Sequence, residues 1–368
     1  ARAQATTDEA AVMTGDELGL LHGLPVGIKD LNPVEGMRST FGSLLYENHI
    51  PEADDSMVAN VRGAGGNIFC KTNTPEFGAG ANTKNRVYGA TGNPFDPQLT
   101  CAGSSGGAAV ALATGMLPLA TGSDYGGSLR TPAAFCGVAG FRPSPGLVPA
   151  FGRPVGLNPF SVVGPMGRTV ADTHLLLRAQ IDLNRRDPFS SDDAKAIPAQ
   201  LNKVDLGKLR MAWSVDLGCA PIAADIRQTF MDRLPAIASP FDDSFERDPF
   251  MDDVHETFEI MRGVNFVAAH RERVENHRDL LGPNDIDNTE RGMAYSLADV
   301  AWANTTQTKI HERFHDFFAD VDVLICPGAS VSPFPHDQLT VTEINGEQMP
   351  TYMRWLAMTY ALTKALPA

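Results

Sequence analysis

The sequence predicts an α/β fold, and three observations carry that prediction. A helix-period segment at 55–65 puts Met57, Val58 and Val61 on one face and ends in a glycine cluster, Gly63 to Gly66; an extended apolar run, N-I-F-C-K-T-N (67–73), follows at once. An alanine-rich helical segment at 104–116 is likewise followed by a short apolar strand, M-L-P-L-A-T-G (116–122). A third helical segment, 296–318, precedes V-D-V-L-I-C-P (321–327), which is apolar enough to be a buried strand. Helix then strand, repeated, is the pattern of helices laid over a sheet.

The other elements follow in chain order. Residues 1–22 read as the tail of a helical region. L-H-G-L-P-V-G-I-K-D (21–30) reads as a turn and a short apolar strand ending at Lys29. Residues 80–103 carry Gly, Asn and Pro throughout and predict no regular structure. The helix at 104–116 is expected to be capped by serine. The loop T-G-S-D-Y-G-G-S (121–128) leads to a helix from Pro132, and further helices are expected at 169–180, 223–236 and 252–281. The polar, proline-containing stretch 181–208 reads as a surface excursion. At 368 residues the chain can hold one large core or two domains, since single cores stop growing near roughly 250–300 residues. The reading taken is one domain over 1–368.

A composition of 43% hydrophobic and 20% charged residues is that of a globular protein in water. The net charge of −14 repels nucleic acid and anionic membrane, so neither is an expected partner. A small neutral or cationic molecule is the expected ligand, and a homodimer is compatible with the sequence. The five cysteines, Cys70, Cys101, Cys136, Cys219 and Cys326, are odd in number, widely spaced and without a C-x-x-C pair. That predicts free thiols in a reducing compartment, the cytoplasm. The first residues lack the apolar core of a signal peptide, and no run reaches membrane-spanning length.

Three segments hold the parts of an acyl-transfer site: Lys29 at a strand end, G-S-S-G-G (103–107) and D-Y-G-G-S-L-R (124–130). A hydroxyl is a weak nucleophile until a neighbouring base takes its proton. Lysine becomes that base when burial moves its pKa well below about 10.4. A Gly-Gly-Ser loop can aim successive backbone N–H groups at one point, because glycine adopts dihedrals that side chains forbid. Such a nest beside a serine is an oxyanion hole.

These segments resemble the amidase-signature family. The resemblance runs from about His22 to Gly167 and returns at 321–335. It is strongest over the unbroken stretch from Cys101 to Ser144, C-A-G-S-S-G-G-A-A-V through F-R-P-S, with L-H-G-L-P-V-G-I-K-D, K-T-N-T-P-E-F and N-P-F-D flanking it. It implies a large twisted mixed β-sheet flanked by helices on both faces, and an amidohydrolase that cleaves a small carboxamide with no metal or organic cofactor. It also implies residue roles. Lys29 is the base. Ser104, following a cis peptide, bridges it to the nucleophile, Ser128. The backbone N–H groups of Tyr125, Gly126, Gly127 and Ser128 form the oxyanion hole, Ser105 supports by hydrogen bonding, and Asp124 and Arg130 brace the loop. Cys101-Ala102 departs from the Pro and Gly usual before the double serine, and Leu362-Thr363-Lys364-Ala365 replaces the family's L-T-G-x-P. The chain is also expected to lack family segments at both ends.

Other chemistries compete for the same residues. G-S-S-G-G matches the G-x-S-x-G elbow of α/β-hydrolases with Ser105 central, but the elbow requires a strand before it and P-F-D-P-Q-L-T-C-A (94–102) carries two prolines. A glycine-rich turn before a helix can hold phosphate, yet no G-K-[S/T] follows. His311-Glu312-Arg313-Phe314-His315 matches H-E-x-x-H, which would make a zinc hydrolase using His311 and His315; an amphipathic helix burying Ile310, Phe314, Phe317 and Phe318 explains the same residues. The glutaminase-type component of tRNA-dependent amidotransferases shares the signature. Its K-x-N-M-D-E-F is K-T-N-T-P-E-F here, and E-R-G-M-A-Y-S (290–296) occupies the region of its R-R-I-M-L-G.

Overall fold

The computed structural model of the chain describes residues 1–192 and 196–365. Residues 193–195 of the polar excursion, and 366–368 at the end of the expected domain, lie outside the described residues. The chain divides into two compact units. The first comprises Ala1–Leu201, Glu272–Ile286 and Pro333–Asp337; the second comprises Asn202–Arg271, Asp287–Ser332 and Gln338–Ala368.

The first unit runs α1 (Arg2–Thr14), β1 (Pro25–Lys29), α2 (Ser56–Gly63), β2 (Asn67–Thr72), the short pair β3 (Lys84–Asn85) and β4 (Gly89–Ala90), α3 (Gly106–Ala113), β5 (Leu119–Asp124), α4 (Arg130–Cys136), β6 (Ala139–Gly140), β7 (Val162–Gly167) and α5 (Val170–Gln180). Its sheet has the order β2-β1-β5-β7-β6. The first three strands are parallel, while β7 is antiparallel to both β5 and β6, so the sheet is mixed.

Local signals start and stop these elements. The Asp55 carboxylate accepts the Met57 N–H at the start of α2, and a capping box of Thr169 and Asp172 opens α5. In β1, Val26 and Ile28 join a buried cluster with Met57, Val58 and Val61 of α2 and Leu176 and Leu177 of α5. Side chains alternate along a strand, so Gly27 and Lys29 turn to the other side, where α3 begins. There Gly107 lies so close to the Asn73 backbone that a Cβ would collide with it. The β3–β4 ladder is regular structure where none was expected.

The second unit contains β8 (Arg210–Trp213), α6 (Ala224–Ala238), β9 (Asp243–Glu246), α7 (Val254–His277), α8 (Pro283–Ala294), α9 (Leu297–Phe317), β10 (Val323–Ile325), the pair β11 (Glu343–Ile344) and β12 (Glu347–Gln348), and α10 (Ala357–Ala365), with α7 and α8 each continuing into the first unit's segment 272–286. Its three-stranded sheet, β10-β8-β9, is wholly parallel. Alternation again sorts the faces. Trp213 and Ile325 pack with Phe230 and Leu234 of α6, whereas Ala212 and Leu324 pack with Phe317 of α9. Helices thus cover both faces. The mixed α/β class and the helix-flanked sheet expected from the sequence are both present. No described helix is long and apolar enough to cross a membrane.

Candidate active site

Lys29 ends β1. Its backbone N–H donates to Thr121 Oγ1 of β5 at 3.1 Å, which ties the strand end to its neighbour. The side chain is fully buried. Its Nζ contacts three hydroxyl oxygens: Ser104 Oγ at 2.7 Å, Ser105 Oγ at 2.9 Å and Ser123 Oγ at 2.9 Å. Among the described residues it has no ion-pair partner. Burial pushes its pKa from 10.5 down to about 7, against the opposing charge of Asp124. An ammonium donates to all three hydroxyls; a neutral amine has a lone pair, so one hydroxyl must then donate to it. The cluster is therefore built to exchange a proton.

The serines come from the segment before α3. The Gly103–Ser104 peptide bond is cis, and Ala102 has φ 59°, a left-handed value that costs a non-glycine residue about 1 kcal/mol or more. Ser105 stands at the N-cap of α3 but makes no side-chain cap bond, contrary to the capping expected from the sequence. Its hydroxyl is spent elsewhere: besides Lys29 it donates to Ser123 O and accepts from Ser123 N–H, both at 3.3 Å. The Ser105 N–H donates to Ser128 O at 3.3 Å.

Ser128 lies in the turn between β5 and α4, half-buried, and its Oγ has no hydrogen bond with any described residue. Lys29 and Ser104 are thus hydrogen-bonded, whereas Ser104 and Ser128 are not; contacts of this kind commonly tighten only in the reacting complex. Asp124 holds the turn. Its Oδ1 accepts the Gly127 N–H at 2.9 Å and its Oδ2 the Leu129 N–H at 3.0 Å. Arg130 Nη2 meets it at 2.9 Å and Arg142 Nη1 at 3.2 Å. Burial works against the Asp124 charge, but these two guanidiniums hold its carboxyl well below the usual carboxylate range. Gly127, at φ 127°, takes a conformation that favours glycine. Its N–H is engaged by Asp124, while the Ser128 N–H has no described partner. The Tyr125 ring packs edge-on against Phe160, with centroids 6.1 Å apart.

A family model described as Amidase matches residues 1–367. The chain belongs to the amidase-signature family. An acylamidase of Rhodococcus erythropolis is 32% identical over 365 residues, covering 98% of this chain and 76% of that protein. The glutaminase-type component of the glutamyl-tRNA(Gln) amidotransferase of a Nostoc species is 39% identical over 380 residues, covering 93% of this chain and 76% of its own. The crystal structure of a bacterial aryl acylamidase of the same family superposes with a TM-score of 0.88 at 25% identity, over 99% of this chain and 78% of that one. As an amidase-signature protein, the chain is an enzyme acting on amide bonds.

In this amidase the competing readings find little footing. The Ser105 hydroxyl is fully buried, and residues 101–105 are not in a strand, so the elbow geometry is absent. His311 Nδ1 contacts the Ala365 carbonyl at 3.0 Å, and its ring lies 4.6 Å from that of His315. Among the described residues no group of three His, Cys, Asp or Glu side chains is arranged to hold a metal, so the zinc reading gains no support.

Two site residues escaped the sequence reading. Ser123 adjoins Asp124 on β5, and Arg142 lies inside the signature stretch at F-R-P-S. Besides Asp124 Oδ1, Arg142 donates to Asp124 O at 2.7 Å and Phe160 O at 2.9 Å. Its side chain is 7% exposed and that of Arg130 is 20% exposed. Removing one partner of a buried pair strands the other charge. Arg142→Ala is therefore expected to cost about 3–5 kcal/mol in urea unfolding, and Arg130→Ala about half as much. Equal losses would show that Arg142 is no better buried in effect than Arg130.

Proposed function

We propose that this amidase hydrolyses a small carboxamide through an acyl-enzyme on Ser128, with Ser104 and Lys29 relaying its proton. The observation that carries the reading is the fully buried Lys29 amine, pushed down to about 7 and in contact with the Ser104 hydroxyl at 2.7 Å. Ser128 Oγ attacks the amide carbonyl while its proton passes to Ser104 Oγ, whose own proton passes to the neutral Lys29 amine. The resulting oxyanion is met by backbone N–H groups of the 125–128 turn, with that of Ser128 foremost and that of Gly127 kept for Asp124. Collapse breaks the C–N bond as the relay returns the proton to the leaving nitrogen, releasing ammonia or an amine. Water then repeats the sequence on the ester and frees the carboxylic acid. All five cysteines are free thiols, which fits a cytoplasmic setting.

The test is covalent labelling. The protein is incubated with phenylmethanesulfonyl fluoride or a fluorophosphonate, weighed intact and then peptide-mapped. One adduct on Ser128 is expected; an adduct on Ser105 overturns the assignment. The second reading, the glutaminase-type component of a tRNA-dependent amidotransferase complex, is favoured by the 39% identity to the Nostoc protein. It predicts no turnover of simple amides by the isolated chain, whereas a self-sufficient amidase turns over anilides or primary amides alone.

A further inference from the structure

The second unit carries an open pocket of about 330 Å³ for which the proposed hydrolysis has no use. The loop 216–221 and the segment 347–354 line it. Ala220, Pro221, Met349 and Pro350 supply apolar surface, and Arg354 supplies a cation. The Arg354 side chain is 23% exposed. Its Nε is shielded from solvent and has no hydrogen-bond partner among the described residues. The carboxylate paired with it, Glu259, stands 3.7 Å from Nη2, beyond hydrogen-bond reach. Buried donors are almost always satisfied, so an orphaned guanidinium nitrogen beside an open pocket asks for an acceptor from outside the chain.

The surrounding groups have spent their own capacity. His255 Nε2 contacts the Cys219 carbonyl at 3.0 Å, so it is the donor there, and its Nδ1 then accepts from the Tyr360 hydroxyl at 2.5 Å. Burial, with the Arg354 charge adding to it, pushes His255 down to about 4, which leaves that imidazole neutral at ordinary pH. Asp216 is engaged by Arg227 at 2.5 Å and by the Gly218 N–H at 3.0 Å. Glu347 also lines the pocket and has no ion-pair partner among the described residues. Its charge disfavours a second carboxylate on anything that enters.

We propose that this pocket binds a small monocarboxylate with an apolar body, its carboxylate held by the Arg354 guanidinium. The planar fork of arginine matches a carboxylate with two parallel hydrogen bonds, and the alanine, proline and methionine surface receives the apolar part. A dicarboxylate of similar size is excluded by Glu347.

Phenylacetate is the probe, titrated calorimetrically into the full chain. One-to-one binding is expected. Arg354→Met should weaken it at least tenfold, and Glu347→Gln should leave phenylacetate unaffected while raising the affinity for phenylsuccinate at least threefold. Absence of binding to the unaltered protein overturns the proposal, as does equal affinity in Arg354→Met. A measurement on the unaltered chain guards against a variant that fails to fold. Phenylglyoxal modification of Arg354, followed by peptide mapping, should be slowed at least fivefold by saturating phenylacetate; an unchanged rate places the ligand elsewhere and overturns the assignment.

Discussion

Ser128→Ala is expected to lower kcat/KM for any amide substrate by roughly 10⁴-fold or more while leaving thermal stability unchanged within about 0.5 kcal/mol. The two halves of this expectation have separate grounds. Without Oγ there is no atom to carry the acyl group, and what remains is the modest rate contribution of binding and the oxyanion donors. Stability is spared because the Ser128 Oγ has no hydrogen bond with a described residue, while the contacts that hold the turn are to backbone and to Asp124. Truncating that hydroxyl therefore leaves no buried partner unsatisfied. Steady-state kinetics and a melting curve on one preparation check both. Retention of more than about a hundredth of the activity would remove Ser128 as nucleophile. A large fall in melting temperature would show that its hydroxyl is a structural group.

Much of the site could be read in the sequence because its parts lie in short, ordered motifs. Lys29 and Thr72 are far apart in sequence, yet a strand ending in G-I-K-D and another running K-T-N place them side by side in one parallel ladder. The turn D-Y-G-G-S-L-R declares its own geometry, since two glycines followed by serine are what a tight turn after a strand needs. Ser123 and Arg142 were harder. Ser123 belongs to a strand whose remaining residues are small or apolar, and nothing local shows that its hydroxyl reaches Lys29. Arg142 acts across a loop on Asp124, a contact that only the folded sheet creates.

The elements that went unread follow the same logic. β7 reads V-V-G-P-M-G, and its proline and glycines argue against a central strand; it is one nonetheless, because β5 and β6 flank it antiparallel and every residue is buried. The helix α8, P-N-D-I-D-N-T-E-R-G-M-A, lacks a broad apolar stripe, and its start signal is a proline, a residue favoured at a first helical position. The Ser105 cap failed for a functional reason. A side chain that local rules assign to a helix N-terminus is drawn off by a buried lysine, and functional sites are where local rules are expected to lose.

Lys29→Met is the second large effect, and its sign differs between activity and stability. Loss of the base should lower kcat/KM by about 10²–10⁴-fold. It should also flatten the pH profile. In the unaltered enzyme kcat/KM follows the neutral amine, rising about tenfold per pH unit below about 7 and levelling above it; residual activity in the variant has no such limb. Stability should move the other way. The folded-state pKa of Lys29 is about 7 against 10.5 for an ordinary lysine, so between those values the unfolded chain holds a proton that the folded chain does not. The cost of burying Lys29 is therefore full below pH 7, declines as pH rises and vanishes near 10.5. Its gross size is on the order of 5 kcal/mol at about 1.4 kcal/mol per pKa unit. Three hydroxyls deprived of their amine partner, at roughly 1 kcal/mol each, offset much of the gain. Lys29→Met is thus expected to be more stable by about 1–2 kcal/mol at pH 6, with the advantage gone by pH 10. An inactive variant whose advantage did not shrink with pH would mean that Lys29 is charged throughout, and an ammonium cannot take the serine proton.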